Sequence, residues 1–383
     1  MTPPVVGVLG GGQLGRMFVQ AAGRLGVRVH VFADQAESPA GRLAASETVG
    51  RFDDDDAVEA FARTVEVLTW EVESVAATAV ARAAGVTSLR PGAHVLEIVQ
   101  DRIAQRAFLR RLGVPVGEYR EVRTADDARR ASSLLGPGAF LKRSQGGFDG
   151  RSQARVWSDA EASRAWAALG AAPSVMERPV PFEHEFSVIV ARNEAGSIIG
   201  FPPIENRHVE GILDVAVTPA AVPAESAARA REMVETVARS LGLVGVLCAE
   251  CYLLADGGVL VNEIAARTHN SGHLTIEAFT ANQFELHVRA VAGLPLVQPV
   301  RVAPAAAMAN ILGPLPKPLA ALCRDRRQPG VAVHDYEKAP RPGRKVGHIT
   351  ALGATPEEAV ARVRAARAAL TGDPAPCEGA PVS

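Results

Sequence analysis

Glu250 lies in the apolar run GVLCAECYLL and Glu263 in GVLVNEIAA, with Asn262 beside it. The turn Asp256-Gly257-Gly258 between the runs predicts a hairpin, so the two acids fall on paired strands. A buried carboxylate without a partner is strongly unfavourable, and two of them on neighbouring strands point to a shared cation. Mg²⁺ suits such a pair, because it takes oxygen ligands and is commonly held by one or two carboxylates together with the phosphates of a nucleotide. Simple salt bridges are the competing account, and Arg267 is the basic residue nearest in sequence.

A second group of residues suits polyphosphate. Lys142 ends an apolar stretch, and the loop Gly146-Gly147-Phe148-Asp149-Gly150-Arg151 follows at once. A fixed cation thus stands next to a backbone free to wrap an anion. The loop is not a Walker sequence, since GxxxxGK[ST] is absent; its bland alternative is a surface hairpin. Directly after the second acid comes Arg267-Thr268-His269-Asn270-Ser271-Gly272-His273, a dense run of hydrogen-bonding side chains. Such a loop is costly to order without a ligand, although it would also serve as a helix cap through Asn270 or Ser271. Near the C-terminus Lys338, Arg341, Arg344 and Lys345 cluster around Pro340 and Pro342. Such clusters are often solvated surface, and equally what a phosphate-bearing substrate requires.

One motif points elsewhere. Gly10, Gly12 and Gly15 satisfy GxGxxG between a strand and a helix, and Asp34 follows the second strand, which by itself favours a dinucleotide oxidoreductase. The physical content of the glycines is narrower: they allow an anion to approach a helix N-terminus, and any phosphate would serve. The decision therefore falls to the rest of the chain, which carries phosphoryl chemistry and no hydride-transfer constellation.

These residues need elements to hold them. Strand and helix patterns alternate up to about residue 97, with strands at 5–9, 29–32 and 67–69 and helices at 13–25 and 54–62, a small parallel sheet with crossover helices. A basic helix at 101–112 leads into GVPV and an α+β region. There, strands are expected at 139–142, in SVMERPV and EFSVIVAR, and at 245–254 and 258–264, with helices at 224–241 and 282–291. The last region, from about residue 298, reads as Pro-rich connections with one short strand, a helix at 356–370 and a disordered tail.

Composition narrows the class. The 383 residues suffice for two or three domains, with 48% apolar and 22% charged residues and Lys+Arg 41 against Asp+Glu 42. No basic excess marks a nucleic-acid binder. No apolar run reaches the about 18 residues of a membrane span, and the N-terminus lacks a leader pattern, so the expected setting is cytoplasmic. Four scattered cysteines make no disulfide framework, and the CxxC of Cys248 and Cys251 reads as two buried thiols in a strand.

Taken in order, GGGQLGRM, QDR, LKxxxGGxDGR, ERPVPFEHEFSVIVAR, NEIAxRxHNSGH and PRPGRKVGH resemble the 5-(carboxyamino)imidazole ribonucleotide synthases, an ATP-grasp family of purine biosynthesis, over nearly the whole chain. HNSGH after NEIA is the most specific of these; GGGQLG is shared with relatives that transfer formyl groups. The resemblance implies a mixed α/β and α+β fold in three parts. These are a Rossmann-like pre-ATP-grasp domain over 1–99, an ATP-grasp domain over 100–298 with a lid at about 116–174, and a small C-terminal domain with its tail over 299–383. It implies ATP and Mg²⁺, bicarbonate as co-substrate, aminoimidazole ribonucleotide as the small-molecule acceptor, and a homodimer.

By the same resemblance Arg102 and Lys142 contact the nucleotide phosphates, Glu177 and Val180 form the adenine hinge, and Glu185 takes the ribose. Glu250 and Glu263, helped by Asn262, hold Mg²⁺. The acceptor ribonucleotide falls to Gln13, Leu14, Asp149, Arg151, Arg267, His269, Asn270, Ser271, Lys338, Arg344 and Lys345, among which Asp149, Arg267 and Lys345 carry the chemistry. One acid of TWEVES faces it too; Glu71 and Glu73 are both candidates, Glu73 the preferred one. The chain departs from the family pattern at Phe148 (tyrosine), Ser152 (glycine) and Arg106 (lysine). Ala266, Thr268 and Leu274 replace two prolines and a tryptophan. A paralogous ligase with another amine or carboxylate acceptor is the alternative reading, ahead of the oxidoreductase and of a non-catalytic nucleotide-binding protein.

Overall fold

A computed structural model describes residues 3–146, 152–315, 319 and 330–372. Three sheets organise the chain. The first is parallel, in the order β3-β2-β1-β4-β5, with β1 (Val6–Leu9), β2 (Val29–Ala33), β3 (Ser46–Val49), β4 (Val67–Trp70) and β5 (Ser88–Leu89). β1 and β4 are buried along their whole length, as parallel strands covered by helices on both faces must be.

The second sheet is antiparallel, β6-β9-β7-β8, from β6 (Tyr119–Val122), β7 (Ala139–Arg143), β8 (Gln153–Val156) and β9 (Ser174–Glu177). Helices Ala125–Leu135 and Asp159–Ala168 pack on it around Leu135, Leu141, Val156 and Met176. Each begins at a hydroxyl cap, where Thr124 accepts from the Asp127 N–H and Ser158 from the Glu161 N–H.

The third sheet has nine strands: β10 (His184–Arg192), β11 (Ile198–Gly200), β12 (Ile204–Val209), β13 (Ile212–Thr218), β14 (Gly245–Leu253), β15 (Val259–Ala265), β16 (Ala305–Leu312), β17 (Val331–Asp335) and β18 (Lys345–Gly353). Its order is β15-β14-β10-β12-β13-β16-β18-β17, with β11 alongside β10. The structure departs from the expectation of one short strand beyond residue 298. Three strands extend the central sheet through the β13–β16 pairing, because the alanine-rich AAAMANIL is buried on both faces and shows no alternation to read. SVMERPV is extended only through Glu177, since Pro179 and Pro181 prevent a continuing ladder.

One apolar cluster runs from Phe61 and Trp70 of the first sheet region to Phe186, Val188 and Val261 of the third, so the two form a continuous core. Cys248 and Cys251 are buried free thiols within β14. Among the described residues no helix is long and apolar enough to cross a membrane.

Candidate functional site

The two buried acids face each other. Glu250 on β14 pairs directly with Glu263 on β15, so both side chains project from one face of the sheet. The register slips immediately beyond them, and Asn262 is the extra residue of the resulting bulge. Ser187 lies opposite Glu250 on β10, Glu185 lies two residues along, and Asn206 of β12 lies opposite Glu185, all on that same face.

The two carboxylates are not equivalent. Arg102, the first residue of the helix Arg102–Arg111, approaches Glu263 at 2.7 Å. Burial alone would raise the Glu263 pKa, but Arg102 outweighs it and holds the group low. The nearest basic residue in sequence, Arg267, goes instead to Glu73 at 3.0 Å. Glu250 is 9% exposed and, among the described residues, forms no salt bridge to an arginine or lysine. Burial pushes it up, and the like charges of Glu263 and Glu185 push it further. A divalent ion shared by Glu250, Glu263 and the Asn262 amide would relieve that repulsion, and the all-oxygen donor set fits Mg²⁺.

Lys142, expected with Arg102 at the nucleotide phosphates, is tied to a different acid. Lys142 at the end of β7 reaches Glu177 at the end of β9 at 2.7 Å, and Arg106 reaches the other oxygen of Glu177 at 3.0 Å through Nε. Burial opposes the charge on Glu177, yet the two cations overcome it and keep the group ionised far below the usual range. The Glu177 side chain is thus committed to protein partners, and any hinge contact with a base falls to the main chain. Val180 lines a cavity of about 420 Å³ with Val116, Leu254 and Leu260, between the second and third sheets. Arg106, standing where the family pattern has lysine, also donates to the Asn262 carbonyl and so braces the bulge.

Glu185 has a partner that sequence reasoning missed. His208 of β12 lies 2.9 Å away, and the Glu185 carboxylate holds it protonated to a higher pH than usual although burial works against the charge. His208 alternates with Asn206 on β12, because the extra residue of the bulge beside it, Asp214, belongs to β13; what the sequence does not show is that β12 lies next to β10.

Residues 267–273 lie over this face. Gln283 anchors the run, accepting from the His269 N–H at 2.8 Å and donating to the His269 carbonyl at 2.7 Å. The His269 imidazole meets Ser271 Oγ at 2.8 Å and Glu250 at 3.4 Å. Burial, aided by Arg267, keeps this ring neutral, its pKa lowered to about 3. Ser271 donates to Ser187 at 2.8 Å, and Asn206 donates to Ser187 at 2.7 Å. Asn270 is the exception, for both its amide oxygen and its amide nitrogen are buried without a partner among the described residues. Such a group marks a place where a ligand or water completes the bonding.

From the first sheet region, Gln13 receives a hydrogen bond from Lys338, while the Leu14 side chain is packed in the core beside Met17 and Phe18, leaving only its main chain for a substrate. Glu71 accepts the Gly12 N–H at 2.6 Å and Glu73 faces Arg267, so the two acids of TWEVES divide into a support for the glycine turn and a group within the site. That first contact counts against the dinucleotide reading, since the N–H that would greet a pyrophosphate holds a carboxylate. Lys345 lies close enough to favour ionisation of Glu250, and Arg344 donates to the Ala339 carbonyl at 3.1 Å. Asp149, Arg151 and Phe148 lie outside the described residues. Ser152 has φ of 62°, the left-handed conformation that explains why glycine is usual there. Ala266, Thr268 and Leu274 are each 3% exposed or less, so these departures alter packing behind the loop and not the surface it presents.

Known proteins share this architecture. The ribonucleotide synthetase preATP-grasp domain family matches residues 4–100, the ATP-grasp domain family residues 107–284, and the phosphoribosylaminoimidazole carboxylase C-terminal domain family residues 306–362. An N5-carboxyaminoimidazole ribonucleotide synthase of Brucella melitensis is 38% identical over 351 residues, covering 91% of this chain and 96% of its own. The crystal structure of the corresponding synthetase from Thermus thermophilus is 36% identical, with a TM-score of 0.87 over 97% of this chain and 100% of that one. An Aspergillus clavatus synthase in complex with ADP and 5-aminoimidazole ribonucleotide is 31% identical, with a TM-score of 0.88 over 96% and 99%. With its paired acids, its braced glycine turn and full-length similarity to these proteins, the chain belongs to the N5-carboxyaminoimidazole ribonucleotide synthase family of ATP-grasp ligases.

Proposed function

We propose that the protein uses ATP and bicarbonate to carboxylate the exocyclic amine of 5-aminoimidazole ribonucleotide. The observation that carries the reading is the facing pair Glu250 and Glu263, one held by Arg102 and the other buried among like charges, beside a loop whose Asn270 amide has no partner among the described residues. Mg²⁺ held by Glu250 and Glu263, with Asn262, would neutralise the charge that spreads over the phosphoryl oxygens. A bicarbonate oxygen attacks the γ-phosphorus, the bond to the β-phosphate oxygen breaks, and ADP and carboxyphosphate result. The amine then attacks the carboxyl carbon, or the CO₂ released from it, inorganic phosphate departs, and the amine loses a proton.

Arg102 and Lys142 sit at the nucleotide phosphates in this reading, Glu185 at the ribose, and the main chain near Glu177 and Val180 at the adenine. Arg267, His269, Asn270, Ser271, Lys338, Arg344, Lys345, Gln13 and Glu73 receive the ribonucleotide. Arg267 and Lys345 offset anionic charge at the transfer step, and Asp149 orients the amine.

The experiment is ADP release in the presence of Mg²⁺ and bicarbonate, with and without aminoimidazole ribonucleotide. Release that depends on the ribonucleotide and yields a carboxylated product is expected; equal release with an unrelated amine would favour the paralogous ligase. Glu263→Ala should lower turnover by about 100-fold or more, because a first ligand of the metal is lost. Near-normal ADP release by that variant would remove the metal assignment. Light scattering tests the homodimer that the family resemblance implies.

A further inference from the structure

Beyond the substrate site, the same face of the nine-stranded sheet continues across β16, β18 and β17 and carries Asn310, His348 and His334 in register. The short helix Thr275–Ala278 lies over it and contributes Glu277. We propose that Glu277, His334 and His348 form a second metal site, selective for a zinc-type transition ion and separate from the Glu250–Glu263 pair.

The donor atoms of these three side chains all lie within 4.8 Å of one another. His334 Nε2 meets Glu277 Oε1 at 2.7 Å, and the His334 and His348 rings stack with centroids 4.3 Å apart. An independent observation points to a missing occupant. Among the described residues, His348, 0% exposed, has no partner for its Nε2, and the second oxygen of Glu277 is likewise buried and unpartnered. The other nitrogen of His348 is 2.8 Å from the Tyr336 hydroxyl. If Nδ1–H donates there, Nε2 presents a lone pair, which is how ligating histidines are commonly oriented by a neighbour. The opposite tautomer would bury an N–H with no acceptor.

Two imidazoles and one carboxylate suit zinc and not Mg²⁺, with the fourth position left to water. Tetrahedral coordination at roughly 2.0–2.1 Å brings ligand atoms to about 3.4 Å from one another. The His334 ring, stacked on His348 with 9° between the planes, must turn out of the stack before both lone pairs meet one ion; the side chains of His334 and Glu277, 23% and 21% exposed, have the freedom for that turn and give an ion its entry path. The site would staple β17 and β18 to the segment that follows residues 267–273, and so fix the strand bearing Lys345 against the loop bearing Asn270.

The test uses the full chain without a histidine tag, dialysed against Zn²⁺ or Co²⁺ with Mg²⁺ in excess. One Zn²⁺ per chain by mass spectrometry, visible Co²⁺ bands of tetrahedral character, and a zinc-dependent rise in Tm are expected. All three should be lost in His334→Gln and in Glu277→Gln and kept in Glu263→Gln. Because His334 and Glu277 are partly exposed, these variants preserve the core, and circular dichroism verifies it. No zinc uptake by the wild-type chain, or uptake undiminished in His334→Gln, would overturn the proposal. The reading does not involve turnover, so it stands or falls independently of the acceptor substrate.

Discussion

At the scale of single residues the site is a set of charges with assigned partners and a few groups left without one. Glu177 shows what partners do. Its carboxylate is nearly buried between Lys142 and Arg106, and removing one member of such a group leaves the others uncompensated, at a cost of about 3–5 kcal/mol. Glu177→Gln should therefore lower stability by that order. The pH dependence has a fixed sign: a pKa depressed in the folded state contributes stability that is complete above the unfolded value, about 4.3, and lost as pH falls below it. Thermal unfolding of the wild type and of Glu177→Gln should thus converge in acid, and a gap that stays constant from pH 7 to pH 3 would show that the pairing is not its source. Asn270 shows the reverse case, since its amide has no partner to lose among the described residues. Asn270→Ala should leave folding and the KM for ATP nearly unchanged and raise the KM for the ribonucleotide about tenfold, the worth of a hydrogen bond made only to the ligand. An equal rise in both constants would place Asn270 elsewhere.

The elements explain why these groups meet. Two bulges, one at Asn262 in the β14–β15 pair and one at Asp214 in the β12–β13 pair, interrupt the ladders at the rim of the site. The loop after β15 is held closely: a Cβ added at Gly272 would lie 2.5 Å from the Gln283 carboxamide oxygen and 2.6 Å from Ile189. Gly272→Ala must therefore shift the loop or break the two hydrogen bonds by which Gln283 anchors His269. We expect a loss of about 1–3 kcal/mol in stability and a raised KM for the ribonucleotide, read by denaturant titration and steady-state kinetics. Unchanged values in both would mean that the loop yields freely, contrary to its packing.

For the whole molecule, the central sheet does not end where the ATP-grasp strands end. β16 pairs with β13 and carries β18 and β17 beyond it, so Lys345 and His348 stand on the same sheet as Glu250. Arg16 of the first helix pairs with Glu337, and Lys338 bonds Gln13, closing the C-terminal strands against the first sheet region. A chain cut after residue 300 would lose three strands, leave β13 an open edge and uncover Val215 and Val217, which pack against Ala307 and Ile349. Such a fragment should aggregate on expression; a soluble, monomeric fragment with a native-like melting transition would show that the final strands are an accessory.

The sequence by itself determined the acids, the loop run and most of the elements. Apolar period, turn residues and caps are local signals, and Glu250, Glu263 and the residues from Arg267 to Ser271 are visible in them. Pairings were beyond it. That Arg102 and not Arg267 meets Glu263, that Glu177 engages Lys142 and Arg106, and that His208 joins Glu185 all depend on which strands become neighbours. The same holds for Glu71 and Glu73, two residues apart in an identical setting, of which only the packing of the glycine turn selects one to accept the Gly12 N–H. Side-chain type and spacing specify what chemistry is possible, but the partners of a charge come from long-range contacts, and these exist only once the sheets have closed on one another.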